Sequence, residues 1–403
     1  MRTSYTNARI WTGAGTSHEA GSVIVDGTQI EAVTDASVDA DETVDLNGAY
    51  VLPGLIDAHS HTGIWGEGGQ DDYDGNEISA STTPYIRTID SIYPEDIGFD
   101  DSRRGGVTTL GIMHGSANAI GGQTSVVKAA GSTADEMVIR APAGVKMALG
   151  ENPKKVGEHY KREPNSRMGV AWIARRTFYE AIEYRKDLAH HEALVLAQES
   201  KDASERVPLR EPKRDLGKEM LLRVLDREFP IRNHAHRMDD IRTAIRLSDE
   251  FGYDLVIDHG TEAYRIADEI ADRGIPLALG PMFGWRSKRE VNKQTAANVG
   301  FMVERGVSVS VMTDSPFAPV HHLRDLVILA IREGLDPDDA LATVTMNPAN
   351  LLGVSERVGS LEEGKDADFI VMDGDPWDAR SHVLATYING VQVHERTGPY
   401  LPL

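Results

Sequence analysis

Histidine and aspartate residues stand at the ends of short apolar segments at several places in this chain of 403 residues. They are His59 and His61 in "VLPGLIDAHSH", His234 and His236 in "FPIRNHAH", His259 in "YDLVIDHG", and Asp314 in "VSVSVMTD". Imidazole nitrogens and carboxylate oxygens bind zinc and other divalent metals in proteins. A divalent metal lowers the pKa of a coordinated water and polarises a carbonyl group. These residue types therefore predict a metal site that supports hydrolysis.

The spacing of His59 and His61 strengthens this interpretation. In a β-strand, residues i and i+2 lie on the same face, so both imidazoles can reach one ion. A single histidine at the end of a strand is more often a hydrogen-bonded residue of the core. Two on one strand end, together with two further strand-end histidines and a strand-end aspartate, favour a metal site instead.

The middle of the chain alternates apolar segments with helical patterns. Examples of the segments are "GVTTLGIM", "AGVKMALG" and "IPLALGPM", and examples of the helical patterns are "DDIRTAIRLSDEFG" and "EAYRIADEIADRG". This alternation predicts βα units around a parallel sheet. The segments approach the eight strands of a (β/α)₈ barrel, although one strand between residues 110 and 230 is not assigned. Barrel enzymes build their sites at the carboxyl ends of the strands, which is where the histidines and the aspartate stand.

Both ends of the chain have a different residue pattern. They contain short alternating segments with turn residues, such as "GSVIVDGTQIEAV" near the start and "HVLATYINGVQVHE" near the end. The pair Asn389-Gly390 is a strong signal for a two-residue hairpin. We therefore expect residues 1–51 and 358–403 to form one small β domain, and residues 52–357 to form the barrel.

A charged stretch at about residues 152–220 interrupts the βα repeat. Apolar residues at helical spacing within it predict one long amphipathic helix. The stretch is either a solvated excursion or a lid over the mouth of the barrel.

Composition excludes several classes of function. The chain has no cysteine, so a metal must be held by His, Asp, Glu or a modified Lys. Its net charge of −21 disfavours nucleic acid as a partner, because phosphate binding needs clustered basic residues. Abundant acidic residues with few lysines are typical of a salt-adapted, halophilic protein, and an ordinary acidic enzyme is the alternative.

The apolar segments are short. None approaches the roughly 20 residues that span a bilayer, so no membrane partner is expected. The first residues, "MRTSYTNARIWTGAG", lack the apolar region of a secretory signal. We expect a cytoplasmic enzyme with a small-molecule substrate. A homo-oligomer is one possible state, and the sequence does not determine it.

Motifs along nearly the whole chain resemble the amidohydrolase superfamily, and most closely its imidazolonepropionase-related, prolidase-like branch. The motifs are "LPGLIDAHSH", "GVTTL", "HAHR", "IDHG", "MTDSP" and "NPANLLGV…VGSLEEGKDADFIVMDGDP". The resemblance implies a metal-dependent (β/α)₈ TIM barrel with a composite β-sandwich from both termini. It also implies metal ligands at His59, His61, His234, His259 and Asp314. Asp314 would in addition act as general base.

The same resemblance implies one or two divalent metals, with zinc as the default. Binuclear members bridge two metals with a carbamylated lysine or a glutamate. Lys146, within a strand pattern, and Glu151, just past the end of that strand, both fit this role, and the choice between them stays open. A mononuclear site, with both residues structural, is the third alternative.

The reaction expected is hydrolysis of a C–N bond in an amide or cyclic amide. The alternatives are a prolidase-like dipeptidase, a ring hydrolase of the imidazolonepropionase or deaminase type, and an inactive scaffold on the same fold. His236 occupies a position where the ring hydrolases of the superfamily usually carry glutamate, which disfavours ring deamination. His236 is either a substrate contact or a hydrogen-bond partner of a ligand.

Two further segments are candidates for substrate binding. Gly121 and Gly122 lie in "GSANAIGGQ", whose small residues allow backbone N–H groups to approach a substrate carboxylate, although a tight connection explains them equally well. Arg286, in "GPMFGWRS", is a candidate for contact with an anionic substrate. The substrate itself does not follow from the sequence.

Overall fold

The computed structural model describes residues 1–66, 73–284 and 286–398. The strands are β1 (Arg2–Trp11), β2 (Ser17–Asp26), β3 (Gln29–Thr34), β4 (Glu42–Asp45), β5 (Tyr50–Pro53), β6 (Leu55–Ser60), β7 (Val107–Ile112), β8 (Ile120–Lys128), β9 (Val138–Ala148), β10 (Ile231–Ala235), β11 (Leu255–His259), β12 (Leu277–Leu279), β13 (Val309–Val311), β14 (Phe369–Met372), β15 (Val383–Ile388) and β16 (Val391–Glu395).

The helices alternate with the strands of the middle region. They are α1 (Ile97–Arg104), α2 (Ala134–Met137), α3 (Glu151–His159), α4 (Arg167–Glu199), α5 (Leu216–Leu225), α6 (Met238–Phe251), α7 (Ala267–Asp272), α8 (Ala297–Val303), α9 (Leu323–Arg332), α10 (Pro337–Ala340) and α11 (Met346–Leu352). Among the described residues, no helix has the length and apolar character needed to cross a membrane.

The central sheet contains the eight strands β6 to β13 in sequence order. The strands run parallel except β8, which is antiparallel to both of its neighbours, β7 and β9. The first and last strands of the sheet, β6 and β13, contact each other, so the sheet is nearly closed. The predicted barrel is confirmed, and β8 is the strand that the sequence pattern did not assign.

The barrel strands are buried on both faces. Every residue of β7, β10 and β11 is buried, and so are the last six residues of β9. Strands covered on both faces are nearly continuous apolar segments, which is why they are visible in the sequence. The polar residues that interrupt these segments at the carboxyl ends are buried with them and point to the site.

The two ends of the chain form a second, strand-rich region, as the sequence predicts. Its hydrogen-bonded order is β16-β15-β14-β5-β1-β2-β3, with β4 beside β1, so strands from both termini join in one sheet where β14 pairs with β5. Three aromatic residues hold the two halves together. The rings of Phe369 and Tyr387 stack at 4.3 Å, and Tyr5 meets their edges at 5.0 and 5.1 Å.

The charged stretch after β9 contains α3 and the predicted long helix, α4, which has 33 residues. The side chain of Ser166 caps α4 by accepting a hydrogen bond from the backbone N–H of Gly169. The first half of α4 packs on the barrel through Val170, Ile173 and Phe178, whereas the half beyond Tyr184 is largely exposed. The start of α3 contributes to the wall of the cavity described next, and whether the stretch acts as a lid stays a prediction.

Candidate active site and metal centre

A cavity of about 410 Å³ opens at the carboxyl ends of the barrel strands. Seven of the residues singled out in the sequence line it, namely His59, His61, Lys146, His234, His236, His259 and Asp314. They come from β6, β9, β10, β11 and the segment after β13. Parallel strands end at one rim of a barrel, so residues up to 255 positions apart meet there.

Asp314 lies beside both histidines of β6 and its following turn. Its Oδ1 atom is 3.1 Å from His61 Nε2 and 3.4 Å from His59 Nε2. The carboxylate of Asp314 and the two imidazoles are buried together. This arrangement brings a carboxylate oxygen and two ring nitrogens to one point of the cavity.

Backbone carbonyls fix the orientation of two rings. His61 Nδ1 donates to the carbonyl of Met113 at 2.5 Å, and His259 Nδ1 donates to the carbonyl of Gly280 at 2.9 Å. With its proton on Nδ1, each ring directs the Nε2 lone pair into the cavity. The Nε2 lone pair of His61 then faces a carboxylate oxygen of Asp314. Two electron-rich atoms repel each other at this distance, and a cation bound between them removes the repulsion.

A second group of rings lies across the cavity. The ring centroids of His234 and His259 are 4.3 Å apart, and His236 lies 4.7 Å from the first and 4.5 Å from the second. His236 Nδ1 is 2.7 Å from the hydroxyl of Thr261, and its Nε2 atom is buried with no hydrogen-bond partner among the described residues. An unpartnered buried nitrogen is costly unless a ligand or ion completes it.

Two sets of side chains in the described part of the chain could therefore hold a metal ion. One is His59, His259 and Asp314, and the other is His234, His236 and His259. Within each set the candidate ligand atoms lie within 4.8 Å of one another. Imidazole and carboxylate donors suit zinc, iron, manganese and nickel, so the residues present fit a divalent transition metal.

Burial keeps the imidazoles in the form that binds metal. It lowers the pKa of His59, His234 and His236 well below the ordinary value, and it lowers the pKa of His259 to about 4. Neutral imidazole is the metal-binding form, so no proton must be displaced near neutral pH. Burial alone would raise the pKa of Asp314, but His259 and the hydrogen bond to His61 outweigh it and keep that pKa below its usual value.

Lys146 lies inside this group of rings. The residue is 1% exposed, and its Nζ atom is 3.3 Å from His59 Nε2. Burial lowers the pKa of Lys146 to about 8, so a sizeable fraction of the amine is neutral near physiological pH. Glu151 is placed differently. It begins α3, pairs with Lys155 at 2.9 Å, and does not belong to the described lining of the cavity.

The buried ion pair of Arg232 and Asp258 lies on the Nδ1 side of His59. Arg232 Nη2 donates to Asp258 Oδ1 at 2.5 Å and to the carbonyl of Ala58 at 3.0 Å. The same carboxylate oxygen of Asp258 is 3.4 Å from His59 Nδ1. A carboxylate at Nδ1 favours the tautomer that turns Nε2 toward the cavity. Asp258 thus orients His59 without lining the cavity itself.

The backbone is strained at two of the site residues. His259 has φ +72° and Asp314 has φ +55°, in the left-handed region that residues other than glycine rarely adopt. Such conformations cost on the order of 1–3 kcal/mol and cluster at functional sites. The strain turns both side chains inward at the points where β11 and β13 end.

Comparison with known proteins identifies the family. The model of the amidohydrolase family matches residues 50–393. The chain belongs to the amidohydrolase family. The resemblance inferred from the sequence motifs is therefore confirmed.

Several relatives of this amidohydrolase family member are similar over most of the chain. A protein named amidohydrolase tasK, from Hapsidospora irregularis, is 30% identical over 95% of this chain, and this chain spans 42% of its length. An imidazolonepropionase from Pseudomonas putida is 26% identical over 83% of this chain and 82% of its own length.

A solved structure of an amidohydrolase from Thermotoga maritima MSB8 superposes with a TM-score of 0.90. It is 38% identical and covers 98% of this chain, which in turn covers all of it. A Xaa-Pro dipeptidase structure, 16% identical with a TM-score of 0.60 and covering 98% of this chain and all of its own, shows the shared fold alone.

Three residues considered for substrate binding lie outside the described cavity lining. Gly121 and Gly122 lie within β8, where a Cβ atom on Gly121 would collide with the ring of His114. These two glycines therefore allow neighbouring side chains to pack against β8. From the same segment, "GSANAIGGQ", the residues that line the cavity are Gly115 to Ala117. Arg286 is exposed and does not belong to the described lining of the cavity.

Sequence reasoning missed several residues of the cavity wall. The most prominent are Lys288, Asn152, Trp65 and Phe317. Trp65 and Phe317 follow His61 and Asp314, two of the candidate ligands, within four residues, and this proximity in sequence could have indicated them. Lys288 lies two residues after Arg286, and only the path of the loop distinguishes them.

Proposed function

We propose that this protein is a metal-dependent hydrolase that cleaves the C–N bond of an amide or cyclic amide in a small molecule. The observation that carries the proposal is the convergence of the Asp314 carboxylate with His59 and His61 in the barrel cavity, at 3.1 to 3.4 Å. Family membership supports the same class of reaction. The similarity to a protein named N-substituted formamide deformylase, 31% identical over 41% of this chain, favours an amide as substrate.

The donor atoms indicate which residues hold the metal. His59, His259 and Asp314 form one set, with His61 beside Asp314, and His234, His236 and His259 form the other. A bound divalent ion would acidify a water molecule and polarise the scissile carbonyl. Zinc is the default among the ions that suit these ligands.

Asp314 supplies the proton transfers. Its pKa lies below the usual range, so its carboxylate is ionised and able to accept a proton from water. The carboxylate then passes that proton to the nitrogen of the departing amine, which leaves poorly without one. Water thus adds across the C–N bond, and the products are a carboxylic acid and an amine.

A direct assay tests the proposed reaction. Protein purified without chelator is incubated with N-acyl amides, cyclic amides and aminated heterocycles, and the release of amine or ammonia is measured. We expect the protein to cleave an amide. This activity should be lost when chelator is added and restored when divalent metal is added back. Release of ammonia from the heterocycles, with no amide cleaved, would contradict the proposal and favour a ring deaminase.

Lys146 is expected to carry a carbamate that bridges two metals. The neutral amine attacks CO₂, forms an N–C bond and releases a proton, and the pKa of about 8 makes this form available. Native intact mass should therefore show one added CO₂ per chain, absent from Lys146→Ala. A matched control is Lys128→Ala, because Lys128 is equally buried but pairs with Asp366 at 2.9 Å. An unmodified native mass would favour Glu151 or a mononuclear site.

A further inference from the structure

One buried cation of the cavity has no role in the proposed chemistry. Lys288 follows β12, lines the cavity, and has a side chain that is only 14% exposed. Its Nζ atom donates to Asn152 Oδ1 at 2.9 Å and lies 3.4 Å from His234 Nε2. A lysine ammonium has three donors, so this contact with Asn152 leaves capacity for another acceptor.

Neighbouring acidic groups do not fully pair with Lys288. Among the described residues, Glu290 Oε2 is the carboxylate oxygen within ion-pair distance of Lys288 Nζ, at 3.8 Å. The other oxygen of Glu290 accepts from Arg167 at 2.5 Å and from the backbone N–H of Glu151 at 2.8 Å. Glu290 is therefore held in a separate network, and it lies too far from Lys288 for a hydrogen bond.

Lys155 also lines the cavity, but its ammonium already has an acidic partner. Lys155 pairs with Glu151 at 2.9 Å, and its side chain is 61% exposed. Burying an ammonium without a close anion is costly, and the cost falls when a ligand supplies that anion. Lys288 is thus suited to bind a negatively charged group inside the cavity.

Part of the cavity wall beside His61 is aromatic. The ring of Trp65 meets Phe317 edge to face at 5.3 Å and lies 5.4 Å from the ring of His61. Phe283, which is 41% exposed, also lines the cavity. This wall favours an apolar or aromatic group on the part of a substrate that lies beyond His61 and Asp314.

We propose that Lys288 selects substrates by binding a carboxylate, and that the substrates are N-acylated α-amino acids with an apolar acyl group. This inference rests on the proposed function, since it names the substrate class of the same site. The ammonium lies 3.4 Å from His234 Nε2, so a carboxylate bound to it stands close to the reacting amide, as an α-carboxylate does. The acyl group then lies on the Trp65 and Phe317 side.

The test compares N-benzoylglycine with N-benzoylglycinamide, two probes of nearly equal size in which a neutral carboxamide replaces the carboxylate. Dissociation constants for both are measured by calorimetry on metal-loaded protein, together with kcat/KM where turnover occurs. We expect the wild type to prefer the carboxylate by about 10- to 100-fold, the range for a hydrogen bond to a charged group. Lys288→Met should reduce this ratio to about one, and Lys288→Arg should retain most of it.

Lys293→Met is the matched control. Lys293 lies on the same loop, pairs with Glu262 at 3.3 Å, and does not line the described cavity, so the ratio should be unchanged. A wild type without preference, or failure of both probes to bind, would overturn the proposal, as would a preference that Lys288→Met retains. Binding that depends on Lys288 without any amide turnover would support carboxylate recognition while refuting the hydrolase, so the two failures are distinguishable.

Discussion

Asp314→Asn is expected to lower kcat by about 10²–10⁴-fold, the usual contribution of a general base, while metal remains bound. The amide of asparagine keeps an oxygen near His61 and His59 but cannot accept and return a proton at the same position. The 3.1 Å approach of Asp314 Oδ1 to His61 Nε2 makes this carboxylate the one best placed for the transfer.

The measurement combines turnover with metal content on the same sample of Asp314→Asn. The matched control is Asp325→Asn, because Asp325 pairs with His322 at 2.6 Å away from the cavity and should leave kcat unchanged. Activity retained in Asp314→Asn would remove Asp314 as the base. Loss of metal together with activity would show that its role as a ligand dominates.

His59→Asn is expected to abolish activity by emptying one metal position. His59 Nε2 lies 3.4 Å from Asp314 Oδ1 and 3.3 Å from Lys146 Nζ, at the centre of the donor atoms. Asparagine is shorter and offers no ring nitrogen there. Metal content, measured by mass spectrometry on protein purified without chelator, should fall by about one equivalent relative to the wild type.

The control for this change is His190→Asn, an exposed histidine on α4 that should alter neither metal content nor activity. Thermal unfolding gives an independent readout, because metal that binds only the native state stabilises it by about 2.7 kcal/mol at one hundred times its Kd. Added metal should raise the Tm of the wild type more than that of His59→Asn. A wild type that holds no near-stoichiometric divalent metal would refute the hydrolase proposal itself.

Much of the fold was predictable because burial on both faces leaves a clear sequence signal. Strands β7 and β11 are rich in Val, Ile and Leu, and the alternation of such segments with helices indicates a barrel. Strand β8 was not predictable in the same way. Its glycines, Gly121 and Gly122, gave it the composition of a loop, but glycine is required at both positions because His114 packs against Gly121 and Ile86 packs against Gly122.

Part of the cavity wall depends on loop paths that have no periodic signal. Arg286 and Lys288 are two residues apart in one segment, yet the first is exposed and the second is half-buried beside Asn152. The sequence alone suggested Arg286 as the residue that binds an anion. The path of the loop after β12 instead places Lys288 in the cavity. Similarly, Lys146 and Glu151 were equal candidates in sequence, and the geometry favours Lys146, which lies among the rings.

The sequence by itself determined the family, the barrel, the strand-rich region formed by both termini and the residues that meet at the barrel rim. It could do so because strand ends impose local patterns, such as His-x-His after an apolar segment, that do not depend on distant contacts. The tertiary structure alone decided which nitrogen of His61 and His259 faces the cavity, through the carbonyls of Met113 and Gly280. It also decided that Lys288 lies inside, because burial and hydrogen bonding between distant segments leave no trace in the spacing of residues.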